Sequence, residues 1–310
     1  MPRRQVVAAR ASGEELWRVP VGEEGQAVAI GDGELAWEQV DGWRVSEEGS
    51  GGVVFVGFGG DGVAVVKASG SVAADAVAAK IGEMVGLNAP ATRLVALHVD
   101  AERAQLAAAL KRTDANTSVG MPSSSVVRLL RHPMLTLAEY VVPTTSGVAD
   151  VLQRSPDAVA DLGAILMFDV LVRNADRSPL LMDHGGNAGN MLVGTGDRLV
   201  AIDNSMSSLE PGTPEAVLYL DRVRALLGEL AAVNGGAGLD VAPELRRVFV
   251  WLDAAYGAKC DGALVAGVAA AMEAARETAV AVLAAKEVHA IVDAMNSRVD
   301  FMLQAMTWGM

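Results

Sequence analysis

The chain has 310 residues, half of them apolar, and a net charge of −13, with an isoelectric point near 4.8. That length allows one large or two smaller domains at roughly 150 residues each. The charge, with no basic run to offset it, disfavours nucleic acid and anionic membranes as partners. One cysteine, Cys260, excludes an internal disulfide, and the opening Met-Pro-Arg-Arg-Gln lacks the apolar core of a secretory signal, so a soluble cytoplasmic protein without membrane insertion is expected.

In chain order, residues 1–48 mix charge with short alternating stretches at 26–30 and 43–45, separated by turn signals, and read as strands. A glycine loop at 49–52 leads into an apolar run at 53–56, a turn at 59–62 and a further run ending at Lys67. A helix follows: Ser71 caps it, Ala73, Val77, Ile81, Met84 and Val85 share one face, and Gly86 suits its end. Strands are expected at 92–97 and 126–130, a helix at 101–111, a polar loop at 113–125 and a strand at 134–142.

Beyond residue 143 the period changes. Val159, Leu162, Leu166 and Val170 recur every three or four residues, predicting a buried helix over 157–173 that delivers Asn174 and Asp176 at its end. Residues 190–193 and 198–202 read as a hairpin, and from Thr213 the chain is Ala-rich and helical. The halves 1–142, mostly β, and 143–310, mostly α, make an α+β protein with a ligand cleft expected between them.

The most informative stretch runs from Asn174 to Asp203. Asp176 closes an apolar helix, Asn190 opens one short strand and Asp203 ends the next, each at the rim of regular structure. Such a layout orients a nucleophile with one aspartate and holds magnesium on a nucleotide triphosphate with an amide oxygen and the other aspartate. Asp176 is the expected catalytic carboxylate, Arg177 a cation for the transferring group, and Asn190 and Asp203 the metal ligands, with Asn187 as the alternative amide. Upstream, Gly49, Ser50, Gly51 and Gly52 form a loop through which backbone amides can approach phosphates, and Lys67 stands where a lysine would meet them. Its acidic partner is Asp75 or Glu83, with Asp75 preferred.

Competing motifs do not fit. Gly57-Phe-Gly-Gly-Asp-Gly62 has dinucleotide-loop spacing, but a strand-like run follows it instead of a helix. His98, His132, His184 and His289 show no metal-ligand spacing. The lone Cys260 reads as a small apolar residue.

The combination Phe168-Asp169-Val-Leu-Val-Arg-Asn174-Ala-Asp176-Arg177, then Gly186-Asn187-Ala-Gly-Asn190-Met-Leu, then Ala-Ile-Asp203-Asn204 resembles the actin-fragmin kinase catalytic domain family, and more distantly the phosphatidylinositol 3/4-kinases. The resemblance implies a bilobal protein-kinase-like fold, with an N-lobe over 1–142 and a C-lobe over 143–310. It also implies ATP and Mg2+, with Asp176 as base, Asn190 and Asp203 on magnesium, and Lys67 on the nucleotide. Residues 137–142, which include Glu139, Tyr140 and Val141, look like the hinge that meets adenine through backbone groups. A protein serine/threonine kinase acting on an acceptor of unknown identity is expected. The alternatives are a nucleotide-binding pseudokinase serving as an interaction module, prompted by an aspartate in place of the usual glutamate, and a lipid or small-molecule kinase.

Overall fold

The computed structural model describes residues 35–45, 53–58, 62–68, 72–96, 101–114 and, apart from 133, 182, 208 and 211, 129–283. The glycine loop at 49–52, Ser71 and the stretch 26–30 lie outside the described residues. The protein is α+β. It forms two compact units, one made of residues up to Ala76 with Pro90–Val142, the other of Val77–Ala89 with the chain from Pro143 onward.

The first unit is built on a five-stranded antiparallel sheet, β1 (Gly42–Val45), β2 (Val53–Gly57), β3 (Val63–Lys67), β4 (Thr92–Ala96) and β5 (Met134–Glu139), in the order β1-β2-β3-β5-β4. Alternation decides which face is buried: Val54 and Val56 of β2 are wholly buried while Val53 and Phe55, which alternate with them, are not. They share a core with Ala64, Val66, Leu135, Leu137, Trp37 and, from α2 (Ala101–Asp114), Leu106 and Leu110. Burying each such large side chain contributes about 1.5–3 kcal/mol. Arg112, near the end of α2, donates to the Trp37 carbonyl at 3.1 Å, and Trp43 Nε1 donates to the Leu110 carbonyl at 3.1 Å.

Three boundaries differ from expectation. The strand expected over 134–142 ends at Glu139, where its last partners are Ala64 on one side and Ala91 on the other. Thr113, expected in a loop, lies within α2, where its hydroxyl donates to the Ala109 carbonyl at 3.0 Å. Leu129 is helical and not part of a strand, and the His132 amide closes a turn on its carbonyl at 3.2 Å.

Helix α1 (Val72–Met84) runs across the boundary between the units. In the second unit α3 (Val148–Arg154) and α4 (Pro156–Val172) precede the hairpin of β6 (Met191–Val193) and β7 (Leu199–Ala201). They are followed by α5 (Pro214–Asn234), α6 (Pro243–Tyr256) and α7 (Gly262–Leu283).

Helix α4 begins where Ser155 Oγ accepts the Ala158 amide at 3.2 Å, with proline in its first turn. It ends where Arg173 turns left-handed at φ 49°. It is buried nearly all round, and at Gly163 a Cβ would come within 2.4 Å of Ala271 on α7, so only glycine allows that approach. Buried Asp161 of α4 binds Arg198 through both oxygens, at 2.6 and 2.7 Å, and accepts the Leu199 amide at 3.0 Å. The N-terminal half of α4 and the β6–β7 hairpin are thereby fixed to each other.

Candidate active site

At the end of α4 the chain reverses through Arg173, and Asn174 organises the turn. Its backbone amide returns to the Asp169 carbonyl at 2.9 Å, its side-chain amide donates to the Asp169 carboxylate at 3.2 Å, and its Oδ1 accepts the Asp176 amide at 3.2 Å. Asn174 is buried, whereas Asp176 is exposed.

The Asp176 carboxylate faces two side-chain amides. Oδ2 accepts Asn190 Nδ2 at 2.7 Å and Asn187 Nδ2 at 3.3 Å, and Asn187 Nδ2 also meets Asn190 Oδ1 at 3.1 Å. Asn187 starts the 3-10 turn Ala188–Asn190 by accepting the Gly189 amide at 3.1 Å, and Asn190 is buried. The Asn190 carbonyl accepts the Ile202 amide at 3.1 Å, which brings Asp203, exposed and left-handed at φ 55°, to within one residue of Asn190's backbone partner. A carboxylate, an amide pair and a second carboxylate are thus tied into one backbone framework.

Arg177 has a different place from the one expected. Its side chain is 1% exposed. Nη1 binds the Asp169 carboxylate, Nε donates to the Asn190 carbonyl at 3.1 Å, and Nη2 donates to the Ile202 carbonyl at 2.9 Å and to Asn204 Oδ1. The expectation that Arg177 neutralises a transferring group is therefore corrected. Its donors are committed to internal acceptors, so it acts as a buried strut joining α4, the 3-10 turn and the segment after β7. Burial pushes the Asp169 carboxyl up to about 6, against the pull of Arg177, Asn174 and Ser178.

His184 lies in the same excursion. Its Nδ1 accepts the Gly186 amide at 2.9 Å, and partial burial lowers its pKa. Among the described residues no group of three or more His, Cys, Asp and Glu is placed to hold a metal. The set of Asn190 and Asp203 is of another kind, one amide and one carboxylate, hard oxygen donors of the type magnesium takes when phosphate oxygens and water complete its shell.

In the first unit Lys67 Nζ lies 3.2 Å from Asp75 Oδ2, and Asp75 is buried. Glu83, the other acid weighed, is exposed and pairs with Lys80 at 2.7 Å. Glu139, expected to meet adenine through backbone groups, is the last residue of β5. Its backbone amide donates to the Ala91 carbonyl at 3.0 Å and its carboxylate accepts the Ala91 amide at 3.2 Å, so both are spent on closing the sheet. Tyr140 and Val141 follow the strand, with the Tyr140 ring set edge-on to Phe55 at 5.8 Å and its phenol raised by burial.

Sequence reasoning gave no role to Asp169, Ser178, Asn204, Trp251 or Tyr256. Asp169 and Asn204 accept from Arg177, Ser178 donates to Asp169, and the last two bear on the turn holding Asn187 and Asn190. Asp169 and Asn204 lie inside the family motifs quoted above, whereas Ser178, Trp251 and Tyr256 carry no local pattern that would have flagged them. The exception is Gly186, whose φ of 69° is the kind of position glycine marks.

An α+β scaffold presenting a fixed carboxylate–amide cluster at a helix end is a scaffold for polar group chemistry. Residues 26–210, more than half of the chain, match the family described as actin-fragmin kinase, catalytic, and the chain belongs to that family, whose name implies kinase activity. No curated protein matches the chain significantly. Among the described residues no helix is long and apolar enough to cross a membrane.

Proposed function

We propose that this chain is an ATP- and magnesium-dependent phosphotransferase with a protein-kinase-like bilobal architecture, N-lobe 1–142 and C-lobe 143–310, acting on serine or threonine hydroxyls of a protein. The observation that carries this reading is the Asp176 carboxylate held on the Asn190 amide at 2.7 Å, within a framework that also fixes Asp203. Membership of a kinase family supports the same reaction class.

In this reading Asp176 accepts a hydrogen bond from the acceptor hydroxyl and takes its proton as the hydroxyl oxygen bonds to the γ-phosphorus and the bond to the β,γ-bridging oxygen breaks, releasing ADP. The two asparagine amides hold the carboxylate in place but leave its outer side exposed for that contact. Asn190, whose Nδ2 is turned to Asp176 and whose Oδ1 accepts Asn187 Nδ2, would hold magnesium through the remaining lone pair of that oxygen, with Asp203 as the second ligand. Bound magnesium would supply neutralisation of the phosphate charge. Lys67, held by Asp75, would grip the α- and β-phosphates, residues 49–52 would cover them, and the Tyr140 and Val141 backbone would meet adenine.

The replacement of glutamate by aspartate opposite Lys67 motivated a pseudokinase reading, and the 3.2 Å pair weighs against it because the shorter side chain does reach the lysine. A protein acceptor is favoured over a lipid because the net charge of −13, with no basic run in the sequence to offset it, disfavours an anionic headgroup. Incubating the chain with γ-labelled ATP, magnesium and a cell extract tests the proposal. Label on protein serine or threonine, lost on chelation, is the expected result, and nucleotide binding with no transfer overturns it.

A further inference from the structure

The turn that carries Asn187 and Asn190 is not held by its own segment alone. A Cβ on Gly186 would come within 2.7 Å of Trp251 Nε1 and 3.0 Å of the Arg177 carbonyl, so the indole edge of Trp251 lies against the glycine backbone. Two residues on, the Ala188 carbonyl accepts the Tyr256 hydroxyl at 2.6 Å. Trp251 and Tyr256 brace each other edge to face, with ring centroids 5.6 Å apart.

Both aromatics belong to α6, outside the residues 26–210 that match the family. Leu245, Val248, Phe249 and Leu252 root that helix in the core, and its first amides, of Glu244 and Leu245, donate to the buried Glu229 carboxylate at 3.0 and 3.1 Å. Burial raises the Tyr256 phenol, which keeps it a donor across ordinary pH.

We propose that Tyr256, backed by Trp251, is a positioning residue for magnesium binding: its hydroxyl pins the Ala188 carbonyl and so fixes the 3-10 turn that presents the Asn190 amide. The inference rests on the reading of Asn190 and Asp203 as magnesium ligands. Arg177 and the Ile202 amide hold the Asn190 backbone from one side, and Tyr256 holds the turn leading into it from the other. Removing one such hydrogen bond loosens the amide without unseating the fold.

Calorimetric titration of magnesium into the full chain with a non-hydrolysable ATP analogue tests this. Tyr256→Phe is expected to weaken magnesium binding by about three- to tenfold, the equivalent of one lost hydrogen bond. A merely structural tyrosine would lower the melting temperature and leave magnesium affinity unmoved. Unchanged affinity in Tyr256→Phe, alongside lost binding in Asp203→Ala, overturns the positioning role and leaves the site standing. Unchanged affinity in both variants overturns the magnesium site itself, and this inference with it. If Tyr256→Phe does not fold, Trp251→Phe, which keeps an aromatic beside Tyr256 but frees the Gly186 backbone, carries the same expectations.

Discussion

The Asn190 side chain donates its amide to the Asp176 carboxylate at 2.7 Å although the two residues lie on separate turns, one at the end of α4 and one leading into β6. A carboxylate with amides on one side and solvent on the other is oriented without being neutralised. Asp176→Asn is therefore expected to cut phosphate transfer by roughly 10²–10⁴-fold while leaving ATP binding nearly intact. Single-turnover transfer alongside a nucleotide thermal shift checks this, and transfer at the wild-type rate would remove Asp176 from the chemistry.

Asp203 sits exposed and left-handed just after β7, next to the residue whose amide binds the Asn190 carbonyl. Asp203→Ala is expected to weaken magnesium-dependent ATP binding by about tenfold or more, with little effect on the melting temperature of the apo protein. A binding isotherm with and without magnesium reads the difference. An isotherm that keeps its full magnesium dependence would reassign the ligand.

Lys67 and Asp75 pair at 3.2 Å within the first unit. Lys67→Ala is expected to raise the KM for ATP by about tenfold, the scale of a lost hydrogen bond to a charged group. Asp75→Ala should do the same more weakly by releasing the lysine. Steady-state kinetics in both variants decides, and an unaffected KM in each would make the pair only a structural tie between β3 and α1.

Arg177 and Asp169 form a buried ion pair. Arg177→Met leaves Asp169 buried without its cation, and a loss of about 3–5 kcal/mol of stability is expected. Denaturant unfolding measures it. A variant as stable as the wild type that has lost transfer would restore a chemical role to Arg177.

His184 gives the pH dependence. Its Nδ1 accepts the Gly186 amide, so the folded state needs the neutral ring, and burial lowers its pKa while Asp176 and Asp183 oppose that shift and Arg247 reinforces it. A histidine depressed in the folded state is protonated first in the unfolded chain, so stability is lost as pH falls through the unfolded value near 6.5. Melting temperatures at pH 7.5 and 5.5 should differ less in His184→Gln than in the wild type. An equal difference would assign the acid sensitivity to other groups.

The parts legible in the sequence are those governed by local period. The 3.6-residue spacing of Val159, Leu162, Leu166 and Val170 marks a helix that the structure places at Pro156–Val172, and the glycine between Thr195 and Asp197 marks the turn of the β6–β7 hairpin. Arg177 was misread because an arginine beside an exposed aspartate looks the same in sequence whether its guanidinium faces solvent or the interior. The acceptors that draw it inward, on Asp169, Asn190, Ile202 and Asn204, are scattered over 36 residues (169 to 204) and meet only in three dimensions. Trp251 and Tyr256 were invisible for the same reason, lying far along the chain from the turn they hold. That the Glu139 amide is spent on Ala91 is likewise decided by strand pairing, which composition does not show.

The central claim is that Asn190 and Asp203 share one divalent ion on the nucleotide beside Asp176. Electron paramagnetic resonance of Mn2+ added to the chain with ATP tests it most directly. The account predicts bound Mn2+ coupled to phosphate phosphorus in the wild type and in Asp176→Asn, and its loss in both Asn190→Ala and Asp203→Ala. Mn2+ bound with wild-type affinity and the same phosphorus coupling in those last two variants would contradict it.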